Sequence, residues 1–238
     1  MLLFDIGNYQ IKCQDSKTKK TYVAVWYDIK PIENWLEKNF TLLDYNQVVI
    51  CSVAHIIITN KVKKWVKNNN KKLIEIKSTG KFSGLINTYQ NPADLGVDRW
   101  VGAIAAYKNY LSAPIIIIDC GTAITVDLID ENKFCGGAIM CGLASALSAI
   151  PIKIKINWDN DIPEKLDTTD KCLLYGLLQA RAFAIDAIID DFENKIKKSI
   201  KNIIISGYDG AIIQQHLKHT ALLNKNLIFT GMKLICES

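Results

Sequence analysis

Residues 1–15, MLLFDIGNYQIKCQD, and residues 115–130, IIIIDCGTAITVDLID, carry the same device. In each, an apolar run ends in an acid (Asp5, Asp119), then one spacer, a glycine (Gly7, Gly121) and a small polar residue (Asn8, Thr122). Such a pattern reads as a strand, a tight turn and a second strand. Glycine lets the backbone approach a ligand closely, and turn N–H groups can donate to an anion. A carboxylate repels phosphate, so Asp5 and Asp119 fit an anion site only through a cation or a bound water. One such turn is ordinary. Two at equivalent places in two half-chains point to a duplicated grip on a polyphosphate and its metal.

The elements around the two devices also repeat. MLLFDIG, YQIKCQD and TYVAVWY read as strands, and PIENWLEKNF as a helix with Pro31 in its first turn. QVVICSV is a buried strand, residues 61–67 a short helix and KLIEIKS another strand. The polar segment STGKFSGLINTYQNPADLG reads as a long functional loop, and DRWVGAIAAYKNYL as a helix. Asp98 stands where a carboxylate would cap that helix, and with Gly96 and Arg99 it closes the polar loop. Then PIIIIDCG, TAITVDLID and KFCGGAIM restart the strand pattern, followed by helical GLASALSAI and a loop through Pro163. A long helix capped by Thr168 or Thr169 comes next. Two late buried strands, NIIISG and NLIFTG, flank a helix over residues 211–218. The expectation is a duplicated α/β protein: mixed sheets flanked by helices, domains 1–112 and 113–238, and a cleft between the halves.

With 238 residues and 49% apolar composition, each half can bury a core. No uninterrupted apolar run approaches the roughly 20 residues of a membrane span, and no basic stretch precedes the apolar start as in an export signal. Seven scattered cysteines without a CxxC pair fit free thiols in a reducing cytoplasm. The net charge of +5 concentrates in KVKKWVKNNNKK, but Val62, Trp65 and Val66 fall at i, i+3, i+4. That spacing turns the tryptophan inward and leaves the lysines solvated, so nucleic acid is not an expected partner. His216 and His219 form HxxH with no evident third ligand, which argues against a metal centre. Asp186, Asp190, Asp191 and Glu193 read as a solvated helix face.

FDIGNYQIK, YQNPADLGVDRW, DCGTAITVD and GGAIMCG resemble, in order and spacing, the four motifs of type III pantothenate kinases. That family lies in the acetate and sugar kinase and actin superfamily, with duplicated actin-like (ribonuclease H-like) domains. The resemblance runs from Met1 to about Gly176. It implies ATP-dependent phosphorylation of pantothenate, the first step towards coenzyme A. ATP would lie against Asp5, Ile6, Gly7, Asn8, Tyr9, Gln10, Ile11, Lys12 and Thr122. Pantothenate would meet Tyr89, Gly96, Val97, Asp98 and Arg99, with Asp98 as base, and Thr169 across a homodimer interface. Asp119 matches the monovalent-cation ligand, for K+ or NH4+, and Mg2+ would accompany ATP at Asp5, directly or through water. The chain departs from the family at Tyr9, where Thr or Ser is usual, and at Cys141, where proline is usual. It departs again at SGYDGA (206–211), in place of Gly-Gly-Asp-Ala. Two other readings stay open: another small-molecule kinase of the superfamily, which would not need Tyr89 with GxDR, and a non-catalytic regulator, which Tyr9 and Cys141 favour.

Overall fold

The computed structural model describes residues 1–26, 31–110, 113–151 and 163–238. Tyr27 of the expected third strand, Leu111 of the expected helix, residue 112 at the expected boundary and most of the loop before Pro163 lie outside the described residues.

The first compact unit comprises Met1–Phe82, Tyr89–Ala105 and Leu227–Ser238. Its sheet holds β1 (Leu2–Ile6), β2 (Gln10–Asp15), β3 (Thr21–Val25), β4 (Gln47–Ser52) and β5 (Lys72–Glu75), in the order β3-β2-β1-β4-β5. β1 pairs antiparallel with β2 and parallel with β4. Side chains alternate across a strand, so Leu2, Phe4 and Ile6 face one side. There they pack with Leu36 and Phe40 of α1 (Ile32–Phe40) and Val62 and Trp65 of α2 (Ile56–Asn68). Leu3, Val49 and Cys51 face the other side. Val101 of α3 (Val97–Asn109) and Phe229 and Met232 of α7 (Leu227–Glu237) cover them.

The second unit comprises Ser83–Thr88 and Ala106–Asn226. β8 (Ile115–Cys120), β9 (Ala123–Asp130), β10 (Lys133–Cys141), β11 (Asn202–Ser206) and β12 (Leu222–Leu223) run β10-β9-β8-β11-β12, the order of the first sheet again. β7 (Leu85–Asn87) extends the edge beyond β10, and the two-residue β6 (Lys81–Phe82) precedes it in the chain. Ile116, Ile118, Ile203 and Ile205 face α4 (Leu143–Ser148), α5 (Thr169–Ile196) and α6 (Gly210–Gln214). α5 is long and apolar enough to cross a membrane by length and composition, yet Leu174, Leu177, Leu178, Ile185 and Ile189 belong to this core.

Several local expectations are corrected. NLIFTG is not a strand: residues from Leu227 on form α7, and the strand beside β11 is the short β12. A short apolar run fits a buried strand or a buried helix equally well, and packing decides. Here Gly231 lets α7 lie against α3, since a Cβ would collide with the Val101 carbonyl. α7 therefore closes the first unit, and a single cut at 112/113 does not describe this partition. The long polar loop contains β6, β7 and a 3-10 turn at Pro92–Asp94. α2 starts earlier than residue 61, and α6 ends at Gln214, so HxxH is not helical. Asp186 is buried rather than solvated, accepting the Lys218 and His219 N–H groups at 2.8 and 3.2 Å. Asp191 behaves as expected, pairing with Lys195.

Candidate active site

Asp5 is the penultimate residue of β1 and lies opposite Lys12 of β2, so both side chains share a face. The Gly7 N–H donates to the Gln10 carbonyl at 3.0 Å, and Asn8 and Tyr9 form the exposed tip. Ile6 and Ile11 are fully buried core residues, so among the expected ATP contacts they supply strand, not side chain. Tyr9 is 47% exposed, and the Trp26 N–H holds its carbonyl at 3.1 Å. The Trp26 indole donates to the Gly7 carbonyl at 2.8 Å.

Asp119 takes the equivalent place on β8, with Thr125 opposite it on β9 and Ser206 opposite it on β11. The Gly121 N–H donates to the Ala123 carbonyl at 3.0 Å. Two segments clasp this turn. The Thr122 carbonyl accepts the Gly142 N–H at 3.0 Å and the Ser145 hydroxyl at 2.8 Å, and the Cys120 carbonyl accepts the Asp209 N–H at 3.0 Å. Gly142 and Gly207, the latter at φ +90°, permit the approach, because a Cβ on either would collide with the backbone of Gly121 or Cys120. Burial pushes the Cys120 thiol far up, and the Asp119 and Asp209 carboxylates add to it. The exposed Cys141 contributes a carbonyl that accepts Arg181 Nε at 3.4 Å. Among the described residues, Thr125 Oγ1 is buried without a hydrogen-bond partner.

The GxDR segment opens α3. The Gly96 carbonyl accepts the Trp100 N–H at 3.0 Å, so Gly96 sits at the cap and Asp98 lies inside the first turn, not at the cap as expected. The carboxylate folds back, and Asp98 Oδ1 accepts the Arg99 N–H at 2.7 Å. A Cβ at Gly96 would lie 2.8 Å from that oxygen, which is why a glycine precedes the pair. A negative side chain also suits the partial positive charge of a helix N-terminus. Arg99 Nη1 donates to the Tyr89 hydroxyl at 2.9 Å. The loop between them is fixed locally: Asn91 accepts the Ala93 N–H and donates to Asp94, and Ser78 donates to the Leu95 carbonyl. Tyr89, Asp98 and Arg99 thus meet at one helix start in the first unit. Asp119, Thr122 and the exposed Thr169, first residue of α5, belong to the second.

Trp26 and Ser145 were not legible as site residues. Trp26 reads only as the end of a strand pattern, and Ser145 as one small residue in a short helix. Their donors act on carbonyls distant in sequence. Of the HxxH pair, His219 Nε2 lies 2.9 Å from Asp190 Oδ1.

The sequence matches the type III pantothenate kinase family over residues 1–191. A type III pantothenate kinase of Finegoldia magna is 35% identical over 163 residues, which cover 64% of this chain and 61% of that protein. One from Nitrosococcus oceani is 29% identical over 222 residues, covering 87% and 83%. Among solved structures, a Campylobacter jejuni protein described as a Baf family transcriptional activator matches with TM-score 0.60 at 23% identity, over 100% of this chain and 98% of that one. An inorganic polyphosphate/ATP-glucomannokinase from an Arthrobacter strain matches with TM-score 0.50 at 10% identity, over 100% and 98%. These likenesses show the shared fold, that of the actin-like sugar kinases. The chain belongs to the type III pantothenate kinases, ATP-dependent enzymes that phosphorylate pantothenate in coenzyme A biosynthesis.

Proposed function

We propose that the two turns hold the phosphates of ATP and that Tyr89, Asp98 and Arg99 hold pantothenate. The observation that carries this reading is the joining of Tyr89 to Arg99, and of Arg99 to Asp98, at the start of α3. The turn glycines support it. Neither Gly7 nor Gly121 has a left-handed φ, and a Cβ would meet nothing closer than 3.4 Å and 3.8 Å respectively. The fold does not require glycine at either place, so close approach by a ligand supplies the reason.

Phosphoryl transfer has a loose transition state, and positioning with charge neutralisation supplies most of the catalysis. Asp98 orients the primary hydroxyl of pantothenate and accepts its proton late. Arg99 pairs with the pantothenate carboxylate, its guanidinium steadied by the Tyr89 hydroxyl. Asn8 and Thr122 add side-chain donors to the backbone N–H groups of their turns. Lys12, opposite Asp5, brings positive charge to the phosphate side.

Asp5 is a half-buried carboxylate at the end of β1 beside the turn. That suits Mg2+, which takes one or two protein carboxylates and completes its shell with phosphate and water. Asp119 suits a potassium or ammonium ion, because the unpartnered, buried Thr125 Oγ1 is its cross-strand neighbour. These ions would offset phosphate charge. The exposed Tyr175 and Phe183 of α5, with open space at Gly176, support a homodimer that brings Thr169 to the partner's pantothenate. Free thiols support a cytoplasmic enzyme. Lys61 and Lys63 are paired with Glu33 and Glu75, which argues against a nucleic-acid role.

The test is an ATP and pantothenate assay of wild type and Asp98→Asn, in potassium and in sodium buffer. Wild type should turn over, faster in potassium, and Asp98→Asn should lose turnover with an unchanged melting temperature. Near-normal turnover by the variant overturns the assignment of the base. ATP consumption indifferent to pantothenate overturns the substrate.

A further inference from the structure

The first turn can bind an anion only if its N–H groups face outward, and peptide geometry links that to the carbonyls. In a planar trans peptide the C=O and N–H of one linkage point in opposite directions. The Gly7 carbonyl and the Asn8 N–H belong to one linkage. The Trp26 indole N–H fixes that carbonyl at 2.8 Å, and the Trp26 backbone N–H fixes the Tyr9 carbonyl at 3.1 Å. Trp26 is 8% exposed and packed in the first unit's core with Ile6 and Ile11, so it is a rigid post rather than a passing contact. With the carbonyl drawn inward, the Asn8 N–H is directed outward.

We propose that Trp26 is a positioning residue for ATP, acting through the turn to hold the Asn8 N–H toward the phosphates. This rests on the reading of the first turn as a phosphate site. Without the indole N–H, the Gly7 carbonyl is free to rotate toward Gln10, whose carbonyl the Gly7 N–H already meets. The turn then approaches an ordinary two-residue hairpin and loses its outward donor. The second turn reaches the same end by other means: Gly142 and Ser145 hold the Thr122 carbonyl and so direct the Ala123 N–H away from them. The two halves thus share a strategy and not the residues that carry it, which is why the repeat in the sequence does not reveal Trp26.

Trp26→Phe keeps an aromatic ring in the core and removes only the indole donor. The KM for ATP and the Kd for MgATP, by equilibrium titration, should rise about tenfold, as expected for one lost hydrogen bond. The KM for pantothenate and kcat at saturating ATP should stay within about twofold, because the α3 start is untouched. Unchanged MgATP affinity in a folded variant overturns the proposal, as does a parallel rise in both KM values. Weakened MgATP binding in the variant, with no pantothenate turnover even by wild type, supports the role of Trp26 while the reaction assignment fails. If the variant does not fold, wild type still decides. The Trp26 indole N–H resonance should shift on adding MgATP and not on adding pantothenate, and a resonance indifferent to MgATP overturns the proposal.

Discussion

Gly96→Ala separates what the GxDR glycine does for chemistry from what it does for folding. A Cβ at residue 96 would lie 2.8 Å from Asp98 Oδ1, whereas ordinary contact begins near 3.4 Å. The oxygen must therefore yield by about 0.6 Å. The obstructing atom is the end of a side chain, so the fold can adjust. The cap itself costs about 1 kcal/mol when glycine becomes alanine, worth roughly 2–4 °C of melting temperature at this size. The chemistry cannot adjust as cheaply. Oδ1 holds the Arg99 N–H at 2.7 Å, and that contact sets the direction of the carboxylate. A misplacement near 1 Å costs on the order of 100-fold in rate, so a shift of about 0.6 Å should lower kcat by roughly tenfold or more. Steady-state kinetics at saturating ATP and pantothenate, with thermal melts of the same samples, provide the assay. A kcat within about twofold of wild type, or a rate loss matched by gross destabilisation, would refute the steric account.

Two further predictions concern the scaffold. In Gly231→Ala, helix propensity alone favours alanine by about 1 kcal/mol. A Cβ there collides with the Val101 carbonyl, a backbone obstacle that no rotamer relieves, and lies 2.7 Å from the side-chain atom Val101 Cγ1. Overpacking costs about 1–3 kcal/mol, so the melting temperature should fall by several degrees, and a raised or unchanged value would sink the packing of α7 on α3. The second concerns acid. The His219 hydrogen bond, with the Lys218 charge nearby, holds the Asp190 carboxyl below its ordinary range. A depressed folded pKa gives stability that is complete above the unfolded value of about 4 and is lost as pH falls below it through the lowered folded value. Asp190→Asn should therefore lower the melting temperature at about pH 7 by a margin that narrows steadily below about pH 4; a loss that does not change with pH would refute the linkage.

The repeated acid-turn-polar device was legible because each copy is local. Strand, turn and strand are encoded by adjacent residues, and the hairpins Asp5↔Lys12 and Asp119↔Thr125 follow from alternation alone. The motif around Asp98 was legible for the same reason, although its place one step inside the helix was not, since a carboxylate can serve the backbone from either position. NLIFTG failed as a strand because a short apolar run has no period that distinguishes strand from helix, and the space beside Val101 selects the helix. Asp186 looked like one more solvated acid until the 218–219 backbone was seen to fold onto it.

By itself, then, the sequence determined the duplicated succession of strands and the two turns, both properties of neighbouring residues, and through its motifs the family resemblance that implies the substrate contacts. Tertiary structure alone decided which carbonyls of those turns are drawn inward and which segments clasp them, because Trp26, Ser145 and Asp209 reach the turns from elsewhere in the chain. A carbonyl's direction leaves no mark in its own side chain. It depends on which donor the folded chain brings within about 3 Å of it.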